Sequence, residues 1–425
     1  MDLSIKGLDM NRLLLKSVWL NGSKRDILVE QGKFRRIAAE KTLSEIFQDA
    51  QCVDCSHLAI VPAFYNTHTH AAMTILRGLA DDVALKVWLE KFIWPKEAKL
   101  SAEDIYVASK FAILEMIRSG TVFFADMYWH RTETIRAAQE MGVRASIGVT
   151  FADSLKADSE ANVQFLQENV DKFQDRIRLA SAPHSIYTNS TKSLLLAAEC
   201  SEKFQIPLHV HLSETADEAS GSVEPTFGKS PVEFLESLGV LSNRTVAAHV
   251  VHVSEKDLEI LAHRGVTVAH NPCSNMKLAS GIFRAKPFLD RGIRLSLGTD
   301  GASSNNNLDM REEMKFASLL AKMTSGDPTV LSAGDALKMA TKNGAEAFGI
   351  HAGEIAEGFL ADAVLLDLNA PCFATGDVIS NWVYAANSSV IDSVICGGDF
   401  LMRHRKIAGS EEIEKEFIGR FGNAF

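Results

Sequence analysis

An α/β fold, a (β/α)8 TIM-type barrel carrying a small β-sandwich made from both chain ends, is the architecture these 425 residues predict. Three observations predict it. From residue 58 onward an apolar, β-rich run ends in polar residues eight times, with helical patterns between the runs. Histidines and carboxylates gather at the ends of those runs, where such a barrel places its catalytic groups. The two ends of the chain read differently, as short β-like runs joined by turns.

In chain order, residues 1–61 supply the first part of the sandwich through "RLLLKSVWLNG" and "RDILVEQGKFRRIAAE". Residues 62–352 form the barrel. Its runs are "LAIVPAFYNTHTH", "GTVFFADMYWH", "VRASIGVTFADS", "IRLASAPHSIYT", "IPLHVHLSET", "TVAAHVVHVS", "VTVAHNPCSNMKL" and "IRLSLGTDGASSNNN". The helix "SAEDIYVASKFAILEMIRSG" starts at a Ser101 cap with Asp104 three residues on, and it stops at Gly120. An open doubly wound sheet also alternates β and α, but no Gly-x-Gly-x-x-Gly loop follows the first run. The segment 219–234, rich in Gly, Ser and Pro, is expected to be a surface loop or a mobile one over the barrel mouth. Residues 353–425 return to the sandwich with "GEIAEGFLADAVLLD" and "VIDSVICGGDFLMRHRKI". Neither terminal part can bury a sheet face alone.

Composition narrows the function. A formal charge of −10 argues against a general binder of nucleic acid or anionic membrane. The N-terminus lacks the pattern of a signal peptide, and no apolar run reaches the length of a membrane span. Six scattered cysteines suit reduced thiols in a cytoplasmic protein. "CVDC" at 52–55 has metal-site spacing but no second pair, so buried or edge thiols are expected there. The partner implied is a small molecule, and self-association is left open.

The strand ends carry the chemistry. His68 and His70 stand two apart at the end of run one, so a strand turns them to one face. Run five repeats the device with His209 and His211, and Glu214 lies just beyond. Run six offers His249 and His252, and run eight ends in Asp300. Singly, each histidine is better explained as a hydrogen-bonded core residue than as a ligand. Together at one barrel mouth, imidazoles and a carboxylate are what zinc or iron accepts.

"PAFYNTHTH", "HLSET", "AAHVVH", "HNPCSNMKL" and "GTDGASSNNN", in that order, resemble the metal-dependent amidohydrolase superfamily. More narrowly, they resemble its 5-methylthioadenosine/S-adenosylhomocysteine deaminase and chlorohydrolase-like branch. The resemblance makes His68, His70, His211 and Asp300 the ligands of one divalent ion, zinc first, with iron or manganese as alternatives. "APHSIY" stands where two-metal relatives carry a carboxylated lysine, which implies a single ion. His209 and His252 are left as supporting groups.

The resemblance also implies a reaction, hydrolytic deamination of an adenosine-type nucleoside. Glu214 would protonate the ring nitrogen, His249 would hold the attacking water, and Asp300 would take its proton. His184 would hydrogen-bond the heterocycle, and Glu97 in "VWLEKFIWPKE" would accept the ribose hydroxyls. Glu214 favours expelling an amine over chloride. Guanine and triazine hydrolases share most of these motifs and are the alternative. Relatives that take S-adenosylhomocysteine tend to carry arginine after strand three. Val149 stands there, with Lys156 the only nearby cation. That departure favours 5′-methylthioadenosine, 5′-deoxyadenosine or adenosine.

Overall fold

A computed structural model describes residues 12–47, 49–83, 85–173, 176–220 and 226–422. The sandwich expectation for residues 1–11 and 423–425, and that for the loop tip 221–225, lie outside the described residues. Eight strands form the barrel sheet: β1 (Phe64–Thr69), β2 (Thr121–Asp126), β3 (Arg144–Phe151), β4 (Ile177–Pro183), β5 (Leu208–Leu212), β6 (Thr245–His249), β7 (Thr267–His270) and β8 (Arg294–Leu297). Each pairs in parallel with its neighbour in chain order. Between β8 and β1 the ring is joined by Thr67 Oγ1 donating to Leu297 O at 2.8 Å and by Asp300 N donating to His68 O at 3.0 Å. These bonds bring the histidine pair of β1 and the aspartate after β8 to one rim.

The helix Ala102–Arg118 begins with the expected capping box. Ser101 Oγ accepts from Asp104 N at 3.2 Å, and Asp104 Oδ2 accepts from Ser101 N at 2.7 Å. It ends before Gly120, whose φ of +93° favours glycine. A Cβ at Gly120 would also stand 2.9 Å from Val364 Cγ2, where the barrel meets the terminal domain.

The terminal domain is a mixed sheet in which both chain ends take part. Leu58–Pro62 pairs antiparallel with Ala363–Asp367, and Leu13–Leu20 and Ile391–Cys396 flank these two strands. Alternation assigns the faces of this central pair. Leu58, Ile60, Ala363 and Leu365 join a core within the domain, while Ala59, Val61, Val364 and Leu366 join the barrel core. All six cysteines are free, with Cys52 exposed and Cys55 buried, as edge and buried thiols. No described helix is long and apolar enough to cross a membrane.

One buried ion pair ties the two bodies together. Arg144 Nε at the start of β3 donates to Asp362 Oδ2 at 2.9 Å. The Tyr65 hydroxyl on β1 donates to the same oxygen, and Gly397 N donates to Oδ1 at 2.6 Å. Removing one partner of such a pair strands the other charge. We therefore expect Asp362→Ala to lose about 3–5 kcal/mol of unfolding free energy in urea titrations. A change below about 1 kcal/mol would mean that the latch contributes no stability.

Candidate metal and substrate site

The candidate ligand side chains are aimed by their hydrogen bonds. Each of three imidazoles is held at Nδ1, which leaves Nε2 facing inward. His68 Nδ1 donates to His209 Nε2 at 2.9 Å, His70 Nδ1 to Met127 O at 2.7 Å, and His211 Nδ1 to His184 O at 2.7 Å. His209 thus orients His68, and His252 is engaged with Ser280 O at 2.6 Å. Asp300 is held by Ser274 Oγ at 2.6 Å and Ser304 Oγ at 3.0 Å on Oδ2, and by Gly301 N at 2.8 Å on Oδ1.

The inward atoms converge. His68 Nε2 and His70 Nε2 lie 3.4 and 3.2 Å from Asp300 Oδ1, and His211 Nε2 lies 3.2 Å from His70 Nε2. Ligands about 2.0–2.1 Å from one ion, set about 90–110° apart, stand about 3–3.4 Å from each other. Buried His68 Nε2 has no hydrogen-bond partner among the described residues. Burial also drives the His68 imidazole down to about 4, and His211 well below its ordinary value. Against burial, the hydrogen bond with Asp300 raises His70 to about 9, and three imidazoles gathered on one carboxylate fit a divalent ion. His249 joins the same group: atoms of His68, His211, His249 and Asp300 all lie within 4.8 Å of one another.

Local backbone strain accompanies this convergence. His249 and Asp300 have φ of +71° and +60°, and Ser213 and Val250 beside them have +51° and +49°. Non-glycine residues in this region cost of order 1–3 kcal/mol each and persist where the surroundings over-determine them. At Gly298, before Asp300, a Cβ would stand 2.8 Å from His68 Cβ, so only glycine lets β8 approach β1 this closely.

One cavity unites the remaining residues. Glu97, His184, Glu214, His249 and Asp300 all line it. Glu214 is buried, with Ser280 Oγ donating to Oε1 at 3.1 Å and Oε2 lying 4.0 Å from His249 Nε2. Burial pushes its carboxyl up, against the pull of His249 and with the push of Asp300. His249 Nδ1 donates to Asn275 Oδ1 at 2.8 Å, which turns Nε2 to the cavity. His184 is kept neutral by burial, at about 3. Glu97 ends the short helix Trp94–Glu97, and burial raises its carboxyl too. Its Oε1 and the nearby Tyr128 hydroxyl are buried without a well-formed hydrogen bond among the described residues.

Two features escape the sequence patterns. Tyr128 and Trp129 beside Glu97 carry no motif, although they follow directly on β2. On β3, Val149 is not the residue that meets the cavity. It pairs with Ser181, whose hydroxyl donates to Ala197 O in the outer helix Thr191–Phe204 at 2.8 Å. Val149 therefore points towards the helices and is fully buried in the core. Thr150, paired with Ala182 on the other face, lines the cavity instead.

The model of the amidohydrolase family matches residues 59–401. Over 404 residues the chain is 42% identical to the 5'-deoxyadenosine deaminase of Methanothermobacter thermautotrophicus, an alignment covering 94% of this chain and 93% of that one. Over 394 residues it is 44% identical to the 5-methylthioadenosine/S-adenosylhomocysteine deaminase 1 of Archaeoglobus fulgidus, covering 91% of both. A crystal structure of an adenosine deaminase from Xanthomonas campestris with bound zinc matches with a TM-score of 0.90 at 30% identity, covering 97% of this chain and 98% of that one.

Proposed function

The chain belongs to the amidohydrolase family, and from that premise we propose that it is an aminohydrolase that converts an adenosine-type nucleoside to its inosine analogue with release of ammonia. One observation supports this reading: two glutamates whose carboxyls are raised by burial, Glu214 and Glu97, line the same cavity as His70, His211, His249 and Asp300. Its free thiols and the absence of a described membrane-spanning helix suit a cytoplasmic enzyme.

His68, His70, His211 and Asp300 would hold one divalent ion, zinc first and iron or manganese as alternatives. Such an ion makes a nucleophile available at neutral pH by lowering the pKa of water to about 7 in favourable cases. His249 holds the attacking water, and Asp300 takes one of its protons. Glu214 gives its proton to ring nitrogen N1 as oxygen adds to C6. The proton on Asp300 then passes to the amine, the C6–N bond breaks, and ammonia leaves. Glu214 recovers a proton from the new hydroxyl as the C6 carbonyl forms. His184 hydrogen-bonds the purine, and Glu97 accepts the ribose 2′- and 3′-hydroxyls.

Assaying ammonia from adenosine, 5′-deoxyadenosine, 5′-methylthioadenosine and S-adenosylhomocysteine, beside guanine and a chlorotriazine, tests the reaction. Ammonia from adenosines is expected; turnover of guanine or the triazine alone would overturn it. For Glu97→Ala we expect kcat/KM on adenosines to fall about tenfold to a hundredfold, mostly through KM, since a charge-assisted hydrogen bond is worth about 1.5–3 kcal/mol. An unchanged KM would remove Glu97 from ribose binding.

A further inference from the structure

We infer that Ser280 and His252 are positioning residues for the acid step. The Ser280 hydroxyl keeps the proton of Glu214 on Oε2, the oxygen that faces the reacting atoms, and His252 holds Ser280 in place. The inference rests on the deaminase reading and deepens it. Ser280 is buried, and among the described residues its hydroxyl has one polar partner, Glu214 Oε1 at 3.1 Å. The carbonyl oxygen of a carboxyl group is its better acceptor, so this bond places the acid proton on Oε2. Oε2 and Asp300 Oδ2 each lie 4.0 Å from His249 Nε2, on the side where the water is held. A proton on Oε1 would point at Ser280 instead of the purine ring.

One segment carries this bond and two other orienting bonds. The stretch from Asn271 to Gly281, after β7, brings Ser274 Oγ to Asp300 Oδ2 at 2.6 Å, Asn275 Oδ1 to His249 Nδ1 at 2.8 Å, and Ser280 to Glu214. Its helix Pro272–Lys277 stops before Ser280, and the turn that follows has Ala279 at φ +51° and Gly281 at +142°. His252 fixes that turn. Ser280 O can only accept, so His252 Nε2 carries a hydrogen and donates it at 2.6 Å. His252 N donates to Ser213 O at 3.0 Å, the carbonyl directly before Glu214. One residue thus grips both the chain that enters Glu214 and the chain that bonds its carboxyl. Gly281 permits the grip: a Cβ there would stand 2.6 Å from His252 Nε2 and 2.8 Å from Val251 Cγ1.

A double-variant comparison separates positioning from support of the fold. Ser280→Ala is expected to lower kcat on 5′-deoxyadenosine about tenfold to a hundredfold, the weight of one hydrogen bond to a charged group, with KM and metal content unmoved. In a Glu214→Gln background the same change should cost nothing further, because its effect passes through the Glu214 proton. His252→Ala should lower kcat in the same way, and His252→Gln, whose amide still donates, should recover most of the loss. Calorimetric binding reads the same step without turnover. Purine riboside, which takes up water across N1 and C6 and gains a hydrogen on N1, should bind Ser280→Ala more weakly than wild type. 1-Deazaadenosine, which has no N1, should bind both alike. A Ser280→Ala enzyme with wild-type kcat would overturn the inference. So would an equal loss in the Glu214→Gln background, or equal losses for both probes, which would mark general damage to the site. A wild type that turns over no adenosine would sink the deaminase reading, and the inference with it.

Discussion

Glu214→Gln should lower turnover of an adenosine substrate by about two to four orders of magnitude while the bound metal stays in place. The range is that of a lost general acid. Glutamine keeps the shape and the hydrogen bond from Ser280, but it has no carboxyl proton to give to N1. Glu214 stands outside the four proposed ligands, so elemental analysis of the variant should match the wild type. Its environment favours the role: burial holds the carboxyl protonated to higher pH than an exposed glutamate, and Glu218 Oε2 accepts from Glu214 N at 2.8 Å to fix its backbone. An unchanged rate with an amine leaving group would remove Glu214 from the mechanism.

Asp300→Asn should cost more, because it removes two functions at once. Asparagine carries no charge to balance a divalent ion, and it cannot take a proton from water. We expect the loss to exceed the 10²–10⁴ of a proton-transfer defect alone, with a parallel loss of metal. The coupled loss distinguishes this variant from Glu214→Gln. His68→Ala should also lose metal, because Asp300 Oδ1 would keep only the His70 contact of its two imidazole neighbours. Full metal content together with full activity in Asp300→Asn would place the ion elsewhere.

Much of this site is legible in the chain because strand geometry converts spacing into direction. His68 and His70, two apart on β1, and His209 and His211 on β5 each fall on one face, and the barrel brings the pairs together. At β3 the same rule gives no direction from the sequence alone. "RASIGVTF" is buried on both faces, as parallel strands are, so its apolar pattern does not say which residue points inward. Only the pairing of Val149 with Ser181 and of Thr150 with Ala182 decides it. Contacts between distant segments were likewise hidden. Nothing near Glu97 in the chain announces Tyr128, and nothing near His249 announces Asn275. The left-handed backbone of His249 and Asp300 has no local signature either, since neither is glycine. The composite terminal sheet was readable because each half, alone, leaves an apolar face uncovered.

The most direct test of a one-ion deaminase is to strip the protein of metal with a chelator and add zinc back in sub-stoichiometric steps. Ammonia release from 5′-deoxyadenosine is followed together with the spectral change from adenine to hypoxanthine. We expect no turnover without metal, a linear rise, and a break at one ion per chain. Full ammonia release from metal-free protein, or a break at two ions per chain, would contradict the account.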